Sequence, residues 1–236
     1  MRLPIRDVAG EAAWSYWSLW RELLSVMIIP FAGFLAVNIG ASLLGTDSTV
    51  ASWIYWACYV IVGAVAAVSC HRVLLLGPVS VPKFGVNHLG ARERTFIAAA
   101  LFVGFVAGLL KLSSDFALTS LLGLIDPENA PRYLTVKVVA SLCAAYLFAR
   151  LALMLPAIAI DRRVGLRETW QLSNGNGWRL TLLIVLLPWL VKVLAWFLAT
   201  IMSGGIASII VNTTLYSLFL PLEIALLSVS YRRLTE

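Results

Sequence analysis

Six apolar runs, each longer than about 20 residues and separated by short polar segments, constrain this chain more than any other feature. They cover roughly 23–44, 52–76, 96–122, 133–160, 180–202 and 209–229. At 1.5 Å per residue, about 20 residues cross about 30 Å of hydrocarbon. In lipid every backbone N–H and C=O must be satisfied within the segment, which favours helices over open strands. The expected fold is therefore all-α: a single integral membrane domain over 1–236, with six transmembrane helices as three hairpins plus interfacial amphipathic helices. Composition removes the soluble alternative. Hydrophobic residues make up 61% of the chain and charged residues 13%, and a soluble chain of this length has no interior large enough for that much apolar surface. The start, Met1 to Asp7, has neither a long apolar core nor a small-residue cleavage site, so no cleavable signal peptide is expected.

The segments between the runs carry their own pattern. From Asp7 to Trp20, Trp14, Trp17 and Trp20 recur at helical spacing. Amphipathic tryptophans favour the headgroup level, so an interfacial helix is expected there. The alternative is an amphipathic helix docked on a partner. Between Arg150 and Arg179 the chain turns at Pro156, leaves the apolar run through Asp161-Arg162-Arg163 and forms an amphipathic segment from Leu166 to Ser173. It then loosens at Asn174-Gly175-Asn176-Gly177 and re-enters at Trp178-Arg179. Within the runs, small residues such as Ala32, Ala36 and Gly40, or Gly104 and Gly108, are four apart, which suits close helix packing.

The net charge of +6 would suggest nucleic acid in a soluble protein. Here the basic residues cluster at the ends of the runs, and they point to anionic phospholipid and no nucleic acid. Arg21, Arg72, Arg162, Arg163, Arg179 and the Arg232-Arg233 pair fall on the side of the termini, against only Arg132 and Lys137 opposite. The positive-inside rule then places both termini in the cytoplasm. His71, Arg72, Trp14, Trp17, Trp20, Arg21, Arg162, Arg163, Trp178 and Arg179 are the candidate interfacial residues for lipid or a partner.

Charges inside the runs are the other pointers to function. Counted along straight helices, Arg150 lies about 16 Å and Glu223 about 13 Å from the ends of their spans, a match that predicts a pair, either structural or part of a polar path. Lys111 and Asp115 are one turn apart and can pair within the third span. Asn38, Lys192 and Asn212 reach a similar depth, and with that pair could line a polar cavity; the alternative is that the lysines snorkel outward. Trp20-Arg21 and Trp178-Arg179 each precede a proline, Pro30 and Pro188, by nine positions from the Arg, which is either a weak internal repeat or coincidence. Cys58, Cys70 and Cys143 form no Cys-x-x-Cys pair and read as small packed thiols. His71 and His88 share one side and are few for zinc or haem. No metal, cofactor or catalytic residue is expected, since metalloprotease, nucleophile-elbow and P-loop motifs are all missing from the sequence.

The stretch Arg150 to Trp178, with Pro156-Ala157, Gly165 to Ser173 and Gly177-Trp178, resembles the YciC-like proteins and the membrane domains attached to some glycerophosphodiester phosphodiesterases. Cys70 to Gly77 is similar to the end of the second span in related proteobacterial proteins. The resemblance implies a six-span fold in a bacterial inner membrane. It implies no catalytic residues, because in fused members that chemistry lies in a separate soluble domain. The expected function is a non-catalytic accessory subunit, assembly factor or scaffold of a membrane complex, with phospholipids and other membrane subunits as partners. The alternative is a transporter or channel-like protein for a small or lipidic solute.

Overall fold

The computed structural model describes residues 2–45, 48–85, 89–121, 130–201 and 206–236, with the backbone alone for residue 49 and the stretches 110–121, 130–133, 194–196 and 198–201. The turns expected at Thr46-Asp47, around Asp126 and at Ser203 to Gly205, together with His88, lie outside the described residues. The chain is 86% helix, and no strand occurs among the described residues. Among the described residues ten α-helices follow in order: α1 (Ile5–Ser18), α2 (Trp20–Leu44), α3 (Thr49–Leu76), α4 (Ala91–Leu121), α5 (Ala130–Leu151), α6 (Met154–Ala159), α7 (Leu166–Leu172), α8 (Gly177–Leu180), α9 (Leu187–Ile201) and α10 (Ile206–Thr235).

Local chemistry sets many of the boundaries. Ser48 caps α3 by accepting from the Ala51 N–H at 3.1 Å. Gly77, at φ 89°, ends α3, and Pro78 cannot continue it. The end of α6 is less usual. The Asp161 N–H donates to the Ile158 carbonyl and the Arg162 N–H to the Ala157 carbonyl, the paired bonds of a Schellman turn, and the left-handed position is filled by Asp161 at φ 62° instead of glycine. Asp tolerates that conformation better than most residues.

Among the described residues, four helices are long and apolar enough to cross a membrane: 20–44, 50–76, 134–159 and 206–235. A fifth is added if α7 and the helix from Gly177 to Val193, bent by 92°, count as one broken span. The expected third span falls on α4, which is not among these; Lys111 and Asp115 lie within 110–121, where no side chains are described. Between 28% and 39% of an 18-residue apolar stretch in each crossing segment is buried within the protein. The outward faces carry Ile28, Ile29, Leu43, Ile54, Phe105, Leu190 and Phe197, a quantity of exposed apolar surface that water does not support but lipid does. The molecule has the build of a helical membrane protein.

Two departures from straight spans matter. The fourth expected span is interrupted at Ala152-Leu153, between α5 and α6. The fifth begins as α8, loosens into a π-helical turn from Thr181 to Leu186 and tightens again as α9. Pro188 sits one residue into α9, where its ring needs relief from the preceding turn, and the widened π turn provides it. Pro30, its counterpart in the suggested repeat, stands inside an unbroken α2. The shared spacing therefore does not produce a shared local geometry.

α10 is the hub, packing on α1, α2, α3 and α9, while α2 lies along α3 and α4 along α5. α1 does not lie free. It docks on the end of α10 through Val8 and Ala12, both fully buried, while Trp14 and Trp17 on its other face stay exposed. Glu11 completes the dock, accepting from Arg233 Nη2 at 2.6 Å and Nε at 2.8 Å, and from Arg232. Burial pushes the Glu11 carboxyl up, but the bonds to Arg233 and Arg232 outweigh it and hold its pKa below the ordinary 4.5. A carboxyl with a lowered folded pKa contributes stability above its unfolded value and loses it as pH falls through the folded one. Docking of α1 should therefore be intact near neutrality and weaken below pH 4.5. Both guanidiniums are more than a third exposed, at 37% and 39%, so water screens the pair and Glu11→Gln should lose only about 1 kcal/mol. Amide hydrogen exchange in α1 should rise with acid in the native protein and be pH-insensitive, beyond the intrinsic rate, in Glu11→Gln.

Candidate functional site

Polar residues inside the helical assembly fall into three groups: a knot around Arg150, a clasp at Arg72, Arg92 and Asp161, and a cavity near the other ends of α2 and α3.

Arg150 is 6% exposed and has no carboxylate partner among the described residues. Its Nε donates to Ser173 Oγ at 2.7 Å, Nη1 to Tyr146 Oη at 3.1 Å and Nη2 to the Trp170 carbonyl at 2.7 Å. The guanidinium also lies 3.5 Å from the centre of the Trp170 ring. A planar fork with several donors suits this arrangement, and the π face supplies the negative potential that a carboxylate would otherwise provide. The expected Arg150–Glu223 pair is therefore incorrect. Depth counting assumed straight helices, but the chain breaks after Leu151 and α7 folds back, carrying Trp170 and Ser173 to the guanidinium. Tyr146, four residues before Arg150, was the one partner whose spacing was visible in the sequence. The knot extends to the N-terminus. The Leu3 N–H donates to Asn176 Oδ1 at 2.8 Å, and Arg179 Nη1 donates to the Leu3 carbonyl at 3.0 Å.

The clasp joins three elements. Asp161 Oδ2 accepts from Arg72 Nη1 at 2.8 Å and from Arg92 Nη1 at 3.3 Å. Arg72 also donates to the Ala159 and Ser80 carbonyls, and Arg92 pairs with the buried Glu93 at 2.8 Å. Burial pushes the Glu93 carboxyl up, but helix-start backbone N–H groups and Arg92 hold it below the ordinary value. Arg72, expected to meet headgroups or a partner, ties the ends of α3 and α6 together. His71, expected beside it at the interface, is 1% exposed, with Nδ1 2.7 Å from Ser228 Oγ on α10. A residue count could not show that the end of α10 covers this face of α3. The clasp also accounts for Asp161 in the Schellman turn. Asp161→Gly should keep the turn but release Arg72 and Arg92, whereas a purely conformational role predicts a gain of up to about 1 kcal/mol from glycine. A fall in thermal stability in Asp161→Gly is the expected result.

The cavity, of about 540 Å³, is lined by Asn38, Asn212, Lys192, Thr213, Tyr59 and Tyr216, among others. Asn38 is fixed at both ends, donating from Nδ2 to Thr213 Oγ1 at 2.9 Å and accepting at Oδ1 from Tyr55 Oη at 2.9 Å. Lys192 Nζ lies 2.9 Å from Glu223 Oε2 and 5.6 Å from the Tyr216 ring centre. Phe34, Tyr59 and Tyr216 stack against one another beside it, with ring centres 4.7 to 5.4 Å apart. The structure thus brings Asn38, Lys192 and Asn212 together and gives Glu223 to Lys192; Lys111 and Asp115 lie outside the described side chains. The tyrosines and Thr213 had no charge to mark them in the sequence.

Of the remaining candidates, Trp14, Trp17, Trp20 and Trp178 are exposed, and Arg21 lies 5.5 Å from the Trp20 ring. Arg162 and Arg163 are exposed at the clasp. Cys70 is buried as expected, but Cys58 and Cys143 are exposed on their helices. Among the described residues no group of three His, Cys, Asp or Glu side chains has metal-binding geometry. No family model, curated protein or solved structure matches the chain.

Proposed function

We propose that this chain is a non-catalytic, six-span protein of a bacterial inner membrane, with three helical hairpins and both termini in the cytoplasm. In this reading it acts as an accessory subunit, assembly factor or scaffold of a membrane complex, in the manner of the YciC-like proteins it resembles in sequence. The observation that carries the reading is the interlock at one end of the helices. Leu3, Asn176 and Arg179, then Glu11 with Arg232 and Arg233, then Arg72, Arg92 and Asp161 bind the termini and two connectors into one platform. Trp14, Trp17, Trp170 and Trp178 remain exposed around it. A rigid end bearing exposed tryptophans suits a headgroup-level docking surface. Such a docking role needs no moving part. Purification in mild detergent from native membranes, followed by mass spectrometry, tests this. Stoichiometric co-purification of defined membrane subunits is expected, and a lone chain carrying only bulk lipid would count against it.

A second reading, a transporter or channel-like protein for a small or lipidic solute, is favoured by the 540 Å³ cavity with its Lys192–Glu223 pair. Ion pairs at such positions recur on solute and proton paths. Solute flux in reconstituted vesicles, abolished by Glu223→Gln, would support this reading over the first.

A further inference from the structure

A second and larger cavity, of about 810 Å³, opens beside the clasp between the start of α4 and the end of α6. Its inner wall is apolar, built from Ala98, Ala99, Met154 and Ile158, and its rim carries Arg162 and Arg163. The charges around it do not cancel. Its lining carries Arg92, Arg162 and Arg163 against Asp161; three cations less one anion leaves a net charge of +2. Asp161 is held by Arg72 and Arg92, and Glu93 by Arg92. The excess therefore resides on Arg162 and Arg163, both exposed and neither with a side-chain acceptor among the described residues.

We propose that this cavity is a binding site for an anionic phospholipid, whose phosphate lies between Arg162 and Arg163 and whose acyl chain lies along Ala98, Ala99, Met154 and Ile158. Guanidinium groups match phosphate oxygens in geometry and charge. A free phosphate would account for the rim but leave the apolar wall uncovered, whereas a lipid covers both. The wall begins where the chain leaves its apolar run, the depth at which headgroup gives way to acyl chain. The clasp adds to the fit, because Arg72 and Arg92 neutralise the one carboxylate on the lining, Asp161, that would repel the ligand. This rests on the membrane placement proposed above, but not on the scaffold function.

The test is native mass spectrometry of the full chain in detergent, titrated with phosphatidylglycerol or phosphatidylcholine of the same acyl composition. One phosphatidylglycerol should be retained in preference to phosphatidylcholine. Arg162→Gln with Arg163→Gln should weaken retention roughly ten- to thirty-fold, from two juxtamembrane cations. Arg167→Gln, an exposed arginine on α7 that is not on the lining, should weaken retention less than the Arg162/Arg163 pair does. Ala98→Phe, which fills the apolar wall, should also displace the lipid while the rim stays intact. Equal retention of the two lipids would overturn the proposal, as would an unaffected Arg162→Gln/Arg163→Gln protein. Equal competition by inorganic phosphate would assign the rim to a free anion, and would overturn it too. None of these results depends on whether other subunits co-purify.

Discussion

Arg150→Met should lower the thermal midpoint of the detergent-solubilised protein by roughly 10 °C, from a loss of about 3 kcal/mol. Two effects oppose each other. Removing a buried cation also removes its desolvation penalty, which is why apolar replacements of buried charges are sometimes neutral. Here the guanidinium holds Ser173, the Trp170 carbonyl and Tyr146 together while stacking on Trp170. Methionine offers no donors to these groups and does not bridge α5 to α7. The loss of three charge-assisted bonds and the stack should outweigh the recovered desolvation. Arg150→Lys should do no better than methionine, because an ammonium neither spreads over the indole ring nor reaches three diverging acceptors. Limited proteolysis should show the first cleavage near Gly175, where the connector loses its anchor. The exchange Arg150→Glu with Glu223→Arg should not rescue either single change, because Glu223 belongs to Lys192. A midpoint within about 2 °C of the native protein for Arg150→Met would rule out the knot as a stabilising element.

Gly177→Ala should be nearly as damaging. A Cβ on Gly177 would stand 2.6 Å from Tyr146 Cζ and Oη, well inside van der Waals contact. The Tyr146 ring has little freedom to retreat, since it packs at 5.0 Å on Trp178 and its hydroxyl accepts from Arg150. Overpacking at such a site costs about 1–3 kcal/mol, and displacement of Tyr146 would also disturb the Arg150 knot. The diagnostic is the double variant. Tyr146→Ala alone should destabilise by removing the ring and its hydroxyl. Adding Gly177→Ala should then change the midpoint little, since the methyl has somewhere to go. Contacting residues couple and distant ones add, so additive losses would mean that the clash is not the cause. Gly175, at φ 72° with open space around it, contrasts with this. There the left-handed backbone, not a neighbour, selects glycine.

The two predictions concern one small region that the sequence marked as unusual without showing why. Arg150 stood out as a lone cation in an apolar run, and Trp178-Arg179 as the start of the next run. That the two belong to one knot, with α7 folded between them, depends on the break at Ala152-Leu153 and the 92° bend after α7. The first leaves no trace in hydropathy, because Ala152-Leu153 is apolar; the second falls on the polar Ser173 to Asn176 stretch, which marks a turn but not its angle or what it packs against.

The sequence by itself determined the solvent, and with it the helical build. Apolar runs of about 20 residues and longer, in a chain that is 61% hydrophobic, need lipid around them, and lipid allows only internally hydrogen-bonded backbone. It also determined that the basic residues collect at the ends of the runs, and that Asn38, Lys192 and Asn212 reach a similar depth. The tertiary structure decided the partners. His71 and Arg72 are adjacent in the chain, yet one is buried against Ser228 of α10 while the other clasps Asp161. Glu223 joins Lys192, and Arg150 joins neutral acceptors and an indole ring. Hydropathy depends on each residue's own transfer from water and is therefore legible one residue at a time. A hydrogen bond or an ion pair depends on where the other helix is, and helix breaks, bends and docked termini set that in ways that no local run of residues records.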